Sequence, residues 1–196
     1  MLKIKLNLRS VIAIAISLCC LSIFVGLTLP SAVPAASQPV AELSFSFTRQ
    51  SGPGSNQFAV WIENEEGRYM TTLFATNFTA NGGWQQRETS IPLWVKRSGI
   101  SGMDKTQTDG FSGATPNSGS LTYTWDGTDS RGIALPAGGY VIFLEGTLRG
   151  DNQVIYRAPI RIGGGATEAQ VSVEYIGTPP GSEREMIGNV TARVLQ

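Results

Sequence analysis

Alternation with period two governs this chain. In "FAVWIE", Phe58, Val60 and Ile62 alternate with Ala59, Trp61 and Glu63, so the two sets must face opposite sides of a sheet. Seven more short runs, rich in β-branched and aromatic residues, read the same way: "AELSFSF", "RYMTTLFAT", "LTYTW", "YVIFLEGTL", "VIYRAPIRI", "AQVSVEYI" and "NVTARVL". Turn-forming clusters separate them, among them "NEEGR", "WDGTDSRG", "RGDNQ", "GGGAT" and "GTPPGSE". Short strands without a long helical pattern predict an all-β fold, an immunoglobulin-like β-sandwich of about eight strands spanning residues 40–196. Pro159 removes a ladder donor from its run, which places that position on an edge or at a bulge. One short helix is expected over "SIPLWVKRSG", with Ser90 as cap, Pro92 in the first turn and Gly99 at the stop.

The first 35 residues have a different character. Lys3, Lys5 and Arg9 precede a nearly unbroken apolar run from Val11 to Leu29, and Val33 and Ala35 are small residues two apart, as a signal-peptidase site requires. Residues 1–35 are therefore predicted to be a signal peptide sending the chain to the periplasm or outside the cell. The alternative is an inner-membrane anchor formed by residues 10–29, since about 20 apolar residues span a bilayer.

Removal of that segment narrows the available chemistry. Both cysteines, Cys19 and Cys20, lie within it, and the chain has no histidine. Thiolate nucleophiles, Ser-His-Asp catalysis and sites built on His or Cys ligands are excluded from the remaining domain. The remaining 12 Lys and Arg against 15 Asp and Glu form no basic cluster, so nucleic acid is not an expected partner. A carboxylate-based hydrolase would have to use residues such as Glu63, Glu65 and Glu66, which read as a charge cluster beside the Gly67 turn.

Between Ser98 and Ser120, 13 of 23 residues are Ser, Gly or Thr. Structureless loops longer than about 12–15 residues are uncommon within compact domains and are commonly functional or disordered. Function is therefore sought in this long Ser/Gly/Thr-rich loop. Further on, "WDGTDSRGIALPAGGY" resembles the strand–turn–strand signature of immunoglobulin-like modules in exported bacterial proteins. Asp126 and Asp129 are expected to bind turn amides, with Gly127, Gly132 and Gly138 allowing positive φ. Calcium is the sharper reading of those aspartates, but two carboxylates make a poor site.

From about Leu43 to Ile162, "VWIENEEGRYMTTLFAT", "GGW", "IPLWVK", "DGFSGATP" and the Trp125–Tyr140 stretch together resemble a family of exported bacterial proteins known as a domain of unknown function. Its members are often encoded near PepSY-type membrane proteins and periplasmic FMN transferases. "DGFSGAT", Asp109 to Thr115, also resembles the acceptor motif of proteins carrying FMN through a phosphoester on threonine. That resemblance implies covalent FMN on Thr115, with Asp109, Gly110, Ser112, Gly113 and Ala114 completing the motif. It also implies a periplasmic FMN transferase and a PepSY-type or other membrane redox protein as partners. Small residues suit this task because a bulky phosphoryl donor must reach one hydroxyl. Phe111, Trp84, Trp94 and Trp125 are the aromatic faces expected to be available to the flavin ring. In such proteins an apolar residue and Thr-Ser usually follow the threonine and lead into a helix; here Pro116 to Gly119 lead into a strand, so the host fold differs. The competing expectation is a cofactor-free immunoglobulin-like binding or accessory module of the cell envelope.

Overall fold

In the computed structural model, residues 38–51 and 55–196 are described; the expected signal peptide and membrane anchor lie outside them. All eight alternating runs form strands: β1 (Ala41–Phe47), β2 (Gln57–Asn64), β3 (Tyr69–Thr76), β5 (Gly119–Trp125), β6 (Gly138–Thr147), β7 (Gln153–Ile162), β9 (Ser172–Ile176) and β10 (Ile187–Val194). Two further strands of two residues each, β4 (Ser112–Gly113) and β8 (Thr167–Glu168), escape the pattern because period two needs more than one repeat to be seen.

The strands make a sandwich of two sheets. One has the order β5-β1-β10-β8 and the other β4-β3-β2-β6-β7-β9, every pairing being antiparallel except β3 with β4. Leu43, Phe45 and Phe47 of β1 meet Phe58, Val60 and Ile62 of β2 and Ile142 and Leu144 of β6 in the core between the sheets. Edge-on packing of Phe45 against Phe58, 5.5 Å between ring centres, adds to the burial. Pro159 sits opposite Val141 of β6, while β9 pairs only with Gln153–Arg157. Its missing N–H therefore falls where β7 has no second neighbour, as a proline in a strand requires.

The alternate set on β2 is also buried, and this explains why that strand is covered on both faces. Ala59 and Trp61, with Ala75, Phe143 and Ile155, form a second apolar cluster on the outer face of the six-stranded sheet. Trp61 and Phe143 stack with 4.9 Å between ring centres. A layer of helical turns from the β3–β5 connection covers them with Ala80, Ile91, Trp94 and Ile100. Burying each such large side chain contributes roughly 1.5–3 kcal/mol.

The expected helix occupies Pro92–Ser98 and stops at Gly99, whose φ of 65° is left-handed. Ser90, however, does not cap it. Ile91 occupies the cap position with φ 41°, while the Ser90 hydroxyl lies 2.6 Å from that of Thr79. The cap comes from another element: Glu145 of β6 accepts from the Leu93 N–H at 3.0 Å and the Trp94 N–H at 2.7 Å. Thr147, two residues on, accepts from the Ile91 N–H at 2.7 Å. A carboxylate on the outer face of the sheet thus satisfies the orphan amides that start the helix. Glu63, expected to be a solvated member of a charge cluster, is buried as well and accepts from Trp61 Nε1 at 2.8 Å. Glu63 also has the Arg97 guanidinium at 3.7 Å, while Glu65 and Glu66 pair with Arg161 and Arg68.

Candidate functional site

The Ser98–Ser120 stretch is not the structureless excursion its composition predicts. Ile100–Gly102 forms a 3-10 turn and Lys105–Asp109 a short α-helix. Asp104 closes a capping box: its carboxylate accepts from the Gln107 N–H and the Gln107 side chain accepts from the Asp104 N–H, each at 2.9 Å. The buried Thr108 hydroxyl donates to the Lys105 carbonyl at 3.0 Å. Small polar residues therefore serve as local caps here, which is why a serine, glycine and threonine count misreads the segment.

The motif residues occupy three successive settings. Asp109 ends the helix, and both its carboxylate oxygens receive the Lys105 ammonium at 2.9 Å. Gly110 has an ordinary right-handed φ of −65°, and a Cβ there would meet the Gln107 carbonyl only at van der Waals distance, 3.4 Å, so the fold does not demand glycine. Phe111 packs edge-on against Trp94, and its carbonyl accepts from the Ala75 N–H at 3.1 Å. Ser112 and Gly113 then run parallel to Ala75 and Thr76 as β4.

Gly113 is the glycine the fold requires. A Cβ there would lie 2.6 Å from the Phe74 ring, closer than packed carbons approach. Gly113→Ala is expected to cost about 1–3 kcal/mol as an overpacking change. Urea unfolding of the purified protein checks this; an unchanged midpoint would show that the ring moves aside freely.

Beyond β4 the chain leaves the sheet. Ala114 is exposed and Thr115 partly buried; neither belongs to a strand or helix. The Thr115 hydroxyl has no hydrogen-bond partner among the described residues. Its segment is tied down at the far end, where the Arg49 N–H donates to the Ser118 hydroxyl at 2.9 Å before β5 begins. Thr115 thus lies between two anchored strands with an exposed alanine before it, while Ser112, the motif's other hydroxyl, is also without a side-chain bond among the described residues but sits within β4.

Of the four rings expected to offer a flavin a face, Trp94 and Trp125 are fully buried and cannot. Packing explains both: Trp94 fills the outer cluster and donates to Thr72, and Trp125 packs against Tyr140 and donates to the Thr128 carbonyl at 2.9 Å. Phe111 and Trp84 remain partly exposed.

Phe111 also lines a groove of about 340 Å³. Met103, Gly110 and Phe111 form one wall, the Thr128–Gly132 turn the other, and Tyr69, Thr71 and Thr72 of β3 the floor. The groove exists because β4 pairs with β3 only at Ala75 and Thr76 and leaves the earlier half of β3 without that neighbour. The second wall is held by a Ser130 N–H bond to the Met70 carbonyl, 3.0 Å. Within the turn, Asp126 accepts from the Thr128 N–H and Asp129 from those of Arg131 and Ile133. The Arg131 guanidinium on Asp129, helped by these amides, holds its carboxyl below the usual range. Among the described residues no group of three or more His, Cys, Asp or Glu is arranged to hold a metal ion. Tyr69 bonds the Thr72 hydroxyl at 2.7 Å, and burial pushes its phenol above the ordinary value.

These features define a class: a two-sheet β-sandwich with an outer helical layer, a groove against β3 and an irregular segment after β4 that carries Thr115. The chain belongs to the family described as predicted periplasmic proteins, DUF2271, whose model matches residues 41–178. No curated protein and no solved structure matches it. Among the described residues no helix is long and apolar enough to cross a membrane.

Proposed function

We propose that this protein is an exported electron carrier that bears FMN on Thr115 and works with a redox protein of the membrane. The single observation that carries this reading is the free Thr115 hydroxyl at the end of "DGFSGAT", outside any strand and next to exposed Ala114. Export through the N-terminal segment places the domain where a reversibly held flavin would be lost by dilution, which makes a covalent tether useful.

Attachment joins Thr115 Oγ1 to the FMN phosphate as a phosphodiester. The pyrophosphate bond of a flavin adenine dinucleotide breaks, AMP leaves, and the hydroxyl proton passes to a base of the periplasmic transferase. Bound FMN supplies electron transfer, and the protein supplies position and surroundings. Asp109 and Lys105 neutralise one another, so they add no net charge at the start of the motif. Gly113 keeps the strand close against Phe74, and Ala114 leaves the approach to the next residue open.

The test is production of the full chain with and without an exported FMN transferase, followed by intact-mass measurement. Gain of one FMN and a yellow, fluorescent protein support the reading; an unchanged mass with active transferase present rejects it. That second result would leave the reading of a cofactor-free accessory module, favoured by edge strand β9 with its exposed Val173 and Ile176.

A further inference from the structure

We propose that the groove between Phe111 and the Thr128–Gly132 turn is the resting site of a neutral flavin ring, the isoalloxazine of FMN tethered to Thr115 of the same chain. This rests on the carrier reading for its occupant, but the groove stands on its own geometry.

The lining selects the chemical class. Phe111 and Tyr69 offer aromatic surface and Met103 a polarisable thioether, which together suit a flat conjugated ring. No lysine or arginine lines the groove, and its one carboxylate, Asp129, is engaged by Arg131 and two backbone amides. The cation of that turn, Arg131, is spent on Asp129, so a phosphate would find no uncommitted counter-charge in the lining, whereas an uncharged ring needs none. The Thr71 hydroxyl can meet the carbonyl and imide edge of such a ring, and the Thr128 hydroxyl, which donates to Asp126 at 2.7 Å, can only accept from it.

Both walls are set in advance. Asp104 and Thr108 fix the helix that leads to Gly110, the Phe111 ring leans on Trp94, and the opposite turn is pinned to Met70. A preformed site takes its ligand without first having to be ordered. Gly110 fits the same account, since backbone geometry leaves its lack of a side chain unexplained while the groove wall gains room from it.

Chain connectivity supplies the occupant. Phe111 lies four residues before Thr115, and four residues span at most about 14 Å. The ribityl phosphate arm adds its own reach between Thr115 and the ring, and in this proposal the ring folds back to the groove while its phosphate stays outside.

Two variants test this. Phe111→Ala removes one wall; Ser130→Leu crowds the mouth, without adding an aromatic quencher, from an exposed position whose backbone bond to Met70 survives the change. Chains labelled by the transferase are compared for mass and for flavin fluorescence against free FMN. The expected result is full labelling of the wild type and Ser130→Leu, with emission quenched several-fold in the wild type and restored toward that of free FMN in Ser130→Leu and in the labelled fraction of Phe111→Ala. Equal, unquenched emission from all three labelled proteins overturns the groove and leaves the Thr115 assignment standing. If no chain is labelled, the Thr115 assignment fails, and lumiflavin, which has the ring and no phosphate, decides the groove alone. Saturable quenching of lumiflavin by the wild type and its loss in Ser130→Leu support it; no saturable quenching removes it.

Discussion

Thr115→Val is expected to abolish FMN attachment altogether, from one flavin per chain to none, without measurable loss of stability. Valine nearly matches threonine in shape but lacks the nucleophilic oxygen, and among the described residues the Thr115 hydroxyl forms no hydrogen bond whose loss would be felt. Surface changes of this kind ordinarily fall within about 0.5 kcal/mol. Intact mass after production with the transferase gives the first half of the result and thermal unfolding the second. Label persisting on the valine variant would move the site to another hydroxyl, Ser112 being the nearest within the motif. A sharp fall in melting temperature would mean instead that the threonine has a structural role its surroundings do not reveal.

The second large effect concerns Glu145. Burial pushes its carboxyl up to about 7, against the pull of the Trp94 and Leu93 amides, and the described ion pairs give it no cationic partner. A carboxyl raised above its unfolded value favours the folded state most when protonated. The stability it contributes is full below about pH 4.5, falls as pH rises, and levels off above about 7. Two and a half pH units correspond to about 3 kcal/mol.

Glu145→Gln isolates this contribution. The amide cannot ionise, so the difference in unfolding free energy between wild type and variant should narrow by about 3 kcal/mol from pH 4.5 to 8. At acid pH the variant should be the less stable, because its amide nitrogen faces a backbone N–H where an oxygen had accepted one. Urea titrations across that range make the measurement. Parallel pH profiles for the two proteins would show that the carboxylate finds solvent or a cation in solution.

Residue pattern revealed the strands but not what crosses between them. Phe58, Val60 and Ile62 declare a buried face by themselves, because alternation is a local property. That Trp61 on the other face is covered too depends on a helical layer that follows it in the chain by about thirty residues. Nor could Glu145 be recognised as the helix cap: it lies more than fifty residues beyond the amides it binds, and "YVIFLEGTL" shows only a charged residue in an apolar strand. Strand β4 is held by Phe111 and by the contact of Gly113 with Phe74, neither visible as a period. The stretch "DGFSGAT" is fully legible, being contiguous. What its letters could not convey was the company it keeps: Phe111 as a groove wall, and Trp94 and Trp125 turned into core.

The peptide from Ala114 to Ser118 passes from the rim of one sheet to the rim of the other, fastened at both ends. A hydroxyl on such a bridge cannot swing outward on a long tether to find its partners. A transferase that used it, as the carrier reading requires, would have to bring its own reach to a stationary berth, and its shape should show a projecting element.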